Sequence, residues 1–175
     1  MDNKKEIMGL RIFLGSFVSE IEKLYGKSIL NAIIYRIGQK PGEVVSRQIL
    51  KNYVRTEETP FKVPTAAFNL LENSLSQLFD IEHLDYKKDD DNERYIIKIK
   101  NICPFRQVVM NSAWDCNGPL CQFTSGYFES ALKILTGMNV SYSHVEKEST
   151  DDYCVVRIIF RDILKEPEEK EEEET

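Results

Sequence analysis

The spacing of apolar residues changes near residue 78, and this change constrains the fold more than any other feature. Before it, apolar side chains recur at steps of three and four, which is the spacing of one helix face, most clearly over residues 5–24. Gly26, Gly38 and the pair Pro41-Gly42 are expected to interrupt the helical pattern. The further helices that the pattern predicts cover residues 29–37, 43–53 and 66–78.

After residue 78 the chain shows the alternation that is typical of strands. Two β-prone runs, 78–86 and 94–102, flank the charged turn KKDDDNE, and isoleucines alternate with lysines in YIIKIKNI. This pattern predicts an antiparallel hairpin with one face in solvent. A second strand pair is predicted over residues 140–145 and 153–163, around a short acidic turn.

A further helix is predicted between the two hairpins, over residues 119–136, with Gly137 at the position of a C-terminal cap. The order is therefore helices first, then hairpin, helix and hairpin. It predicts an α+β fold in which N-terminal helices pack on a four-stranded antiparallel sheet built from the two hairpins. At 175 residues the chain fits one domain, which we place at residues 1–164.

The negative charge is concentrated at the C-terminal end. The net charge is −6, and residues 165–175 (KEPEEKEEEET) contribute seven acids and two lysines, so residues 1–164 carry only −1. We expect residues 165–175 to be a disordered acidic tail, since like charges repel and Pro167 opposes a helix. The body has no cluster of basic residues, so a nucleic-acid partner is not expected.

The chain shows no sign of insertion into a membrane or of export. No segment has the roughly 18 uninterrupted apolar residues that a membrane span needs. The apolar N-terminal segment is interrupted by Arg11, Glu20 and Glu22, and it lacks the small-residue cleavage site of a signal peptide. We therefore expect a cytoplasmic protein, whose four cysteines serve in metal ligation, reactivity or core packing rather than in disulfides.

Residues 103–160 carry motifs that resemble the 4-vinyl reductase domain. In chain order these motifs are Cys121, the pair Gly126-Tyr127, the helix-ending Gly137, Glu146 on a predicted strand and Cys154 at the start of the next strand. That domain is similar in fold to the small subunits of the TRAPP vesicle-tethering complex and to haem-based nitric-oxide sensors. The N-terminal half matches only in outline, through Gly26, Gly38 and Gly42.

The resemblance implies a small-molecule or lipid binding module, a sensor or carrier, with a pocket beneath the sheet and a homodimer formed through the N-terminal helices. Arg106 could neutralise a ligand carboxylate or phosphate, although an exposed surface charge is the alternative. Trp114 lies in the polar segment SAWDCNG, where it could close a pocket or a dimer contact. For the other aromatic candidates ordinary core packing is the alternative; they are Phe105, Phe123, Tyr127 and Phe128.

Some members of the family bind a structural zinc ion. The resemblance places its ligands at Cys121, Glu146, Cys154 and a cysteine three residues after the glutamate, where this chain has Ser149. Cys116 could complete the set, because thiolates with one carboxylate suit zinc, and Glu146 is expected on a strand. The alternative is that the cysteines are buried as small hydrophobes.

Catalysis is not expected. The chain has two histidines, His83 and His144, and the sequence places neither near a nucleophile, while nucleotide-binding and hydrolase motifs are missing. His83 is predicted at a surface or sheet edge. The alternative to a ligand-binding module is a TRAPP-like structural subunit, which acts through homo- or hetero-dimer assembly in membrane trafficking. The wide apolar face of the first helix is a plausible surface for that assembly.

Overall fold

The computed structural model describes residues 3–53, 61–89, 94–110, 118–150 and 152–161. The helices in these ranges are α1 (Asn3–Tyr25), α2 (Lys27–Tyr53), α3 (Pro64–Leu75), α4 (Arg106–Met110) and α5 (Pro119–Thr136). The strands are β1 (Asp80–Asp89), β2 (Arg94–Ile102), β3 (Asn139–His144) and β4 (Cys154–Arg161), with a 3₁₀ turn, η1, at Glu146–Glu148. The acidic tail lies outside the described residues, as do Trp114 and Cys116.

The four strands form one antiparallel sheet in the order β1-β2-β4-β3. Its inner face packs against α3 and α5 in a main core, whose fully buried members include Phe68, Phe128, Ile99 and Ile158. Each such side chain contributes about 1.5–3 kcal/mol on burial. The predicted α+β architecture, with helices covering one face of a sheet of two hairpins, is confirmed.

The outer face of the sheet meets solvent, as the alternation of isoleucine and lysine predicts. Lys98 pairs with Glu148 at 2.5 Å, and Lys100 pairs with Glu82 at 2.9 Å and lies over the ring of Tyr153. Exposed ion pairs of this kind add little stability.

The predicted breaks at Gly38 and Pro41-Gly42 are wrong, because α2 runs without interruption from Lys27 to Tyr53. Gly38 and Gly42 are buried one helical turn apart and face α5. A Cβ on Gly38 would come within 3.0 Å of the carbonyl oxygen of Phe123, and one on Gly42 equally near that of Tyr127. These glycines serve close helix contact rather than chain termination.

The same contact is made from the side of α5. A Cβ on Gly126 would collide with the carbonyl oxygen of Tyr35 in α2. The two helices therefore touch backbone to backbone, which fixes their spacing and the positions of the side chains around Gly126. Gly137 ends α5 in the left-handed conformation (φ 68°) and donates its N–H to the Lys133 carbonyl at 2.8 Å, as predicted.

Helix α1 joins α2 at Gly26 (φ 81°) and buries Val18 against a second, smaller core. The rest of its apolar surface is largely exposed: Phe13 is 65% exposed and Leu10 67%. In the described part of the chain, no helix has both the length and the apolar character to cross a membrane.

Candidate ligand-binding site

Four of the predicted aromatic residues come together around the first half of α5. The rings of Phe105 and Phe123 meet edge to face at 5.2 Å, and the ring of Tyr127 lies 6.4 Å from Phe123 and 6.1 Å from Phe128. We call these four residues the aromatic group. Trp114, the remaining aromatic candidate, falls outside the described residues, so its role stays a prediction.

The aromatic group lies at the boundary between the two cores. Tyr127 and Phe128 belong to the main core, whereas Phe105 and Phe123 are partly buried and pack against both cores. The smaller core consists of Val18, Leu30, Ile34, Val108, Val109, Leu120 and Cys121. Burial also raises the pKa of Tyr127, so its hydroxyl stays neutral. The aromatic group therefore joins the main core to the smaller core.

Ring contacts extend from the aromatic group to the sheet. Phe128 stacks on Tyr142 at 5.5 Å, and Tyr142 meets His144 edge to face at 5.6 Å. Phe79 contacts Phe128 edge to face at 5.5 Å on the opposite side. Phe79 and Tyr142 were not predicted as site residues, although Tyr142 and His144 alternate on β3 in the way that residues sharing a face do.

Arg106 is buried, with only 7% of its surface exposed, so the interpretation as an exposed surface charge is wrong. Its guanidinium donates to Cys154 Sγ at 3.1 Å and to the carbonyl oxygen of Thr150. The contact links the start of α4 to the turn before β4. Burial first, and the charge of Arg106 second, lower the pKa of His144, which therefore remains neutral. A contact between Arg106 and a ligand anion stays a prediction.

The predicted zinc ligands are distributed differently from the expectation. Cys121 and Cys154 are buried, but Glu146 is exposed in η1. The prediction that Glu146 lies on a strand is wrong, because β3 ends at His144. Within the described ranges, no three His, Cys, Asp or Glu side chains are grouped so that they could hold a metal. Cys116 lies outside those ranges, so the set of four ligands stays a prediction.

Ser149, which stands where the 4-vinyl reductase domain that the sequence resembles has a cysteine, closes the turn between β3 and β4. Its hydroxyl donates to the Val145 carbonyl at 3.0 Å and accepts the Val155 N–H at 2.9 Å. The Val145 N–H in turn donates to the Val155 carbonyl at 2.8 Å. The break of the strand before Glu146 follows from this turn, which the sequence pattern did not reveal.

Glu129 connects three elements beside the aromatic group. One carboxylate oxygen accepts the hydroxyl of Tyr35 in α2, and the other accepts the backbone N–H of Tyr142 in β3 at 2.7 Å. Burial, together with the hydrogen bond and charge of Glu129, raises the pKa of Tyr35 to about 12. Glu129 was not predicted as a site residue, and its charge among helical residues gave no signal of this role.

The other histidine lies where the sequence placed it. His83 is on the edge strand β1, with its Nε2 atom 2.8 Å from Glu72 Oε2 and its ring edge to face with Phe68. Phe68 in turn stacks on Phe128 at 6.4 Å, so one ring separates His83 from the aromatic group. His83 therefore lies at the sheet edge, as predicted.

No protein-family model matches the chain, and no curated protein sequence matches it. Solved structures do match. The phenol-responsive sensory domain of the transcription activator PoxR, with phenol, is 14% identical with a TM-score of 0.62, over 86% of this chain and 74% of that one. Trafficking protein particle complex subunit 3 from Naegleria fowleri, covalently bound to palmitic acid, is 15% identical with a TM-score of 0.57, over 94% and 100%. At such identities the similarity shows a shared fold.

Proposed function

We propose that this chain is a non-enzymatic module that binds a small aromatic or lipidic molecule at the aromatic group, as a sensor or carrier. The fold supports this proposal, because one similar structure contains phenol and another contains palmitic acid. Both ligands have an apolar body, which is the property that partly buried rings recognise through their faces and edges.

The single observation that carries the proposal is the position of Phe105 and Phe123. Both rings are partly buried and pack against both cores, so they bridge the two apolar clusters. Their spacing is set by rigid elements, since Phe123 lies on α5 where Gly38 of α2 touches its backbone. A ligand can enter between the cores by displacing these rings without unfolding the sheet.

Native mass spectrometry of protein purified without denaturant tests the proposal. We expect wild-type protein to retain an apolar molecule or to bind added 4-propyltoluene, and Phe123→Ala to lose most of this binding. The matched control is Tyr86→Ala, which removes a ring that stacks on Tyr95 at 6.4 Å at the far edge of the sheet. The proposal would be contradicted if wild-type protein carried no bound molecule after purification and also failed to bind the added probe.

A second candidate function is TRAPP-like assembly, with a homodimer formed through the N-terminal helices. The observation that favours it is a set of exposed apolar side chains along α1 and α2, of the kind that can mark a protein–protein contact. Its exposed residues include Ile7, Leu10, Phe13, Phe17, Ile29, Ile33 and Ile37. Residues at such spacings lie along one side of each helix, as a packing partner requires.

Sedimentation velocity tests this second candidate. We expect wild-type protein to sediment as a dimer and Leu10→Glu with Phe13→Glu to sediment as a monomer with an unchanged circular dichroism spectrum. Leu78→Glu is the control, because Leu78 is 59% exposed and lies outside α1 and α2. A wild-type monomer over a wide concentration range would contradict assembly through these helices.

A further inference from the structure

Two deeply buried polar side chains near the aromatic group have polar atoms without a hydrogen-bond partner in the described part of the chain. They are Asn101, which is 1% exposed and lacks a partner for Oδ1, and Thr124, which is 2% exposed and lacks one for Oγ1. A buried polar group without a partner destabilises a fold, so native proteins keep few of them. Each of these two groups calls for an explanation.

Asn101 contacts the hydroxyl of Tyr142, and Thr124 lies on α5, which also carries Phe128, the ring on which Tyr142 stacks. The amide nitrogen of Asn101 donates to Tyr142 Oη at 3.3 Å, which leaves the amide oxygen without a partner. Tyr142 stacks on Phe128, and its hydroxyl is close enough to Cys121 for that thiol to affect it electrostatically. Thr124 is on the same face of α5 between Cys121 and Phe128, so its side chain is directed to the same region.

The hydroxyl of Thr124 also differs from the other buried hydroxyls of α5 in its hydrogen bonding. Buried hydroxyls in helices usually bond to a carbonyl three or four residues earlier. Ser125 donates in this way to the Cys121 carbonyl at 3.1 Å, and Thr136 donates to the Leu132 carbonyl at 2.7 Å. The Thr124 hydroxyl makes no such bond, so its polar atom remains available to another group.

His144 adds a third polar group to this region. Its ring meets Tyr142 edge to face, and neither ring nitrogen has a hydrogen-bond partner among the described residues. The region therefore combines an amide, hydroxyls and an imidazole, all of which can bond to an uncharged polar group.

We propose that Asn101, Thr124 and His144 form the polar end of the ligand site and recognise an uncharged hydroxyl-bearing head group, while the aromatic group holds the apolar body. This inference rests on the proposed ligand-binding function and specifies the class of ligand, an alcohol or phenol. A hydroxyl both donates and accepts, so it satisfies the Asn101 amide in either orientation of that amide and also bonds to Thr124. A carboxylate carries a charge that burial disfavours, and a hydrocarbon leaves the polar atoms without partners.

Three probes with the same body and different heads test the inference by calorimetry: 4-propylphenol, 4-propyltoluene and 4-propylbenzoate. We expect wild-type protein to bind the phenol at least about tenfold more tightly than the toluene. Thr124→Val keeps the shape but removes the hydroxyl. We expect this variant to bind 4-propylphenol about tenfold more weakly and 4-propyltoluene with unchanged affinity. Its melting temperature should be no lower than that of wild type, because a buried polar atom without a partner is removed.

Thr124→Ser is the matched control, since it retains a hydroxyl and should retain the preference for the phenol. Equal affinities for phenol and toluene in wild-type protein would overturn the inference and leave the proposed function intact. Tightest binding of the benzoate would also overturn it and would assign the head group to Arg106. Binding of none of the three probes, with no molecule retained on purification, would overturn the inference and the proposed function together.

Discussion

The backbone of Gly38 in α2 lies directly against the carbonyl oxygen of Phe123 in α5, in a space that a Cβ at position 38 would fill. Gly42 and Tyr127 repeat the contact one turn further on. Since α5 carries three members of the aromatic group, the glycines of one helix set the place of the rings on the other. Ligand affinity and fold stability should therefore respond together to changes at these glycines.

We expect Gly42→Ala to destabilise the protein by about 1–3 kcal/mol, because the added methyl group meets rigid backbone that must shift. Displacement of α5 should also weaken binding of 4-propylphenol. Urea unfolding and calorimetry measure the two effects. Gly9→Ala is the control: nothing lies within 4 Å of a Cβ there, and alanine in helix α1 should stabilise by about 0.5–1 kcal/mol. Equal stability of the two variants would show that the close helix contact does not exist in solution.

Tyr35→Phe should destabilise the protein by about 1 kcal/mol, since it removes a hydrogen bond to the Glu129 carboxylate at a partly exposed position. The pKa of Tyr35 is raised from 10.0 to about 12, so its contribution is present below pH 10 and is lost as pH rises towards 12. Between pH 9 and 12 the free energy of unfolding should therefore decline more steeply for wild type than for Tyr35→Phe. Tyr25→Phe, at an exposed position, should behave like wild type.

Acidification should destabilise the protein through His144. Its pKa is lowered from the ordinary value of 6.5, so below that pH the unfolded chain binds a proton that the folded chain does not. The stability that depends on neutral His144 is fully present above pH 6.5 and is lost as the pH falls. We expect His144→Phe, which keeps a ring beside Tyr142, to lose less stability between pH 7.5 and 5 than wild type. An equal loss of stability in both proteins would show that His144 does not cause the decline.

Ser149→Ala should destabilise the protein by about 1–2 kcal/mol, because one hydroxyl makes two hydrogen bonds that close the turn before β4. Ser74→Ala is the control, since that exposed hydroxyl bonds only to the Leu70 carbonyl of its own helix. Thermal unfolding followed by circular dichroism compares the two variants. The same melting temperature for both variants would mean that the Ser149 hydroxyl does not hold the turn.

The turn is closed by a hydroxyl and by the Arg106 guanidinium, so we expect incubation with a strong chelator to leave the melting temperature unchanged. Metal analysis of protein purified without added metal is the companion measurement. One zinc ion per chain, with a lower melting temperature after chelation, would contradict this expectation and would assign Cys116 to a complete metal site.

The sequence predicted the order of elements because apolar spacing reports which face of a segment is buried. It failed at Gly38 and Pro41-Gly42, where glycine serves contact between helices that are distant in sequence. A single sequence cannot distinguish a glycine that ends a helix from one that admits another backbone.

The site was predicted in part. The rings on α5 could be found from helical spacing, but the burial of Arg106 depends on Cys154 and Thr150, which the fold brings to it. Asn101 offered a weak signal, since an amide occupies an inward position of strand β2 where the pattern calls for an apolar residue. The roles of Thr124 and Glu129 depend on neighbours across the fold, so local patterns could not reveal them.

The bond from the Tyr142 amide to Glu129 has a consequence for how copies of this protein can meet. An edge strand recruits foreign strands through its unpaired N–H groups, and on β3 the Glu129 carboxylate already occupies the one at the centre. The opposite edge, β1, is irregular between His83 and Asp85 and carries several acids and a pair of lysines, which oppose strand addition. Growth of the sheet into fibrils is thus obstructed at both margins.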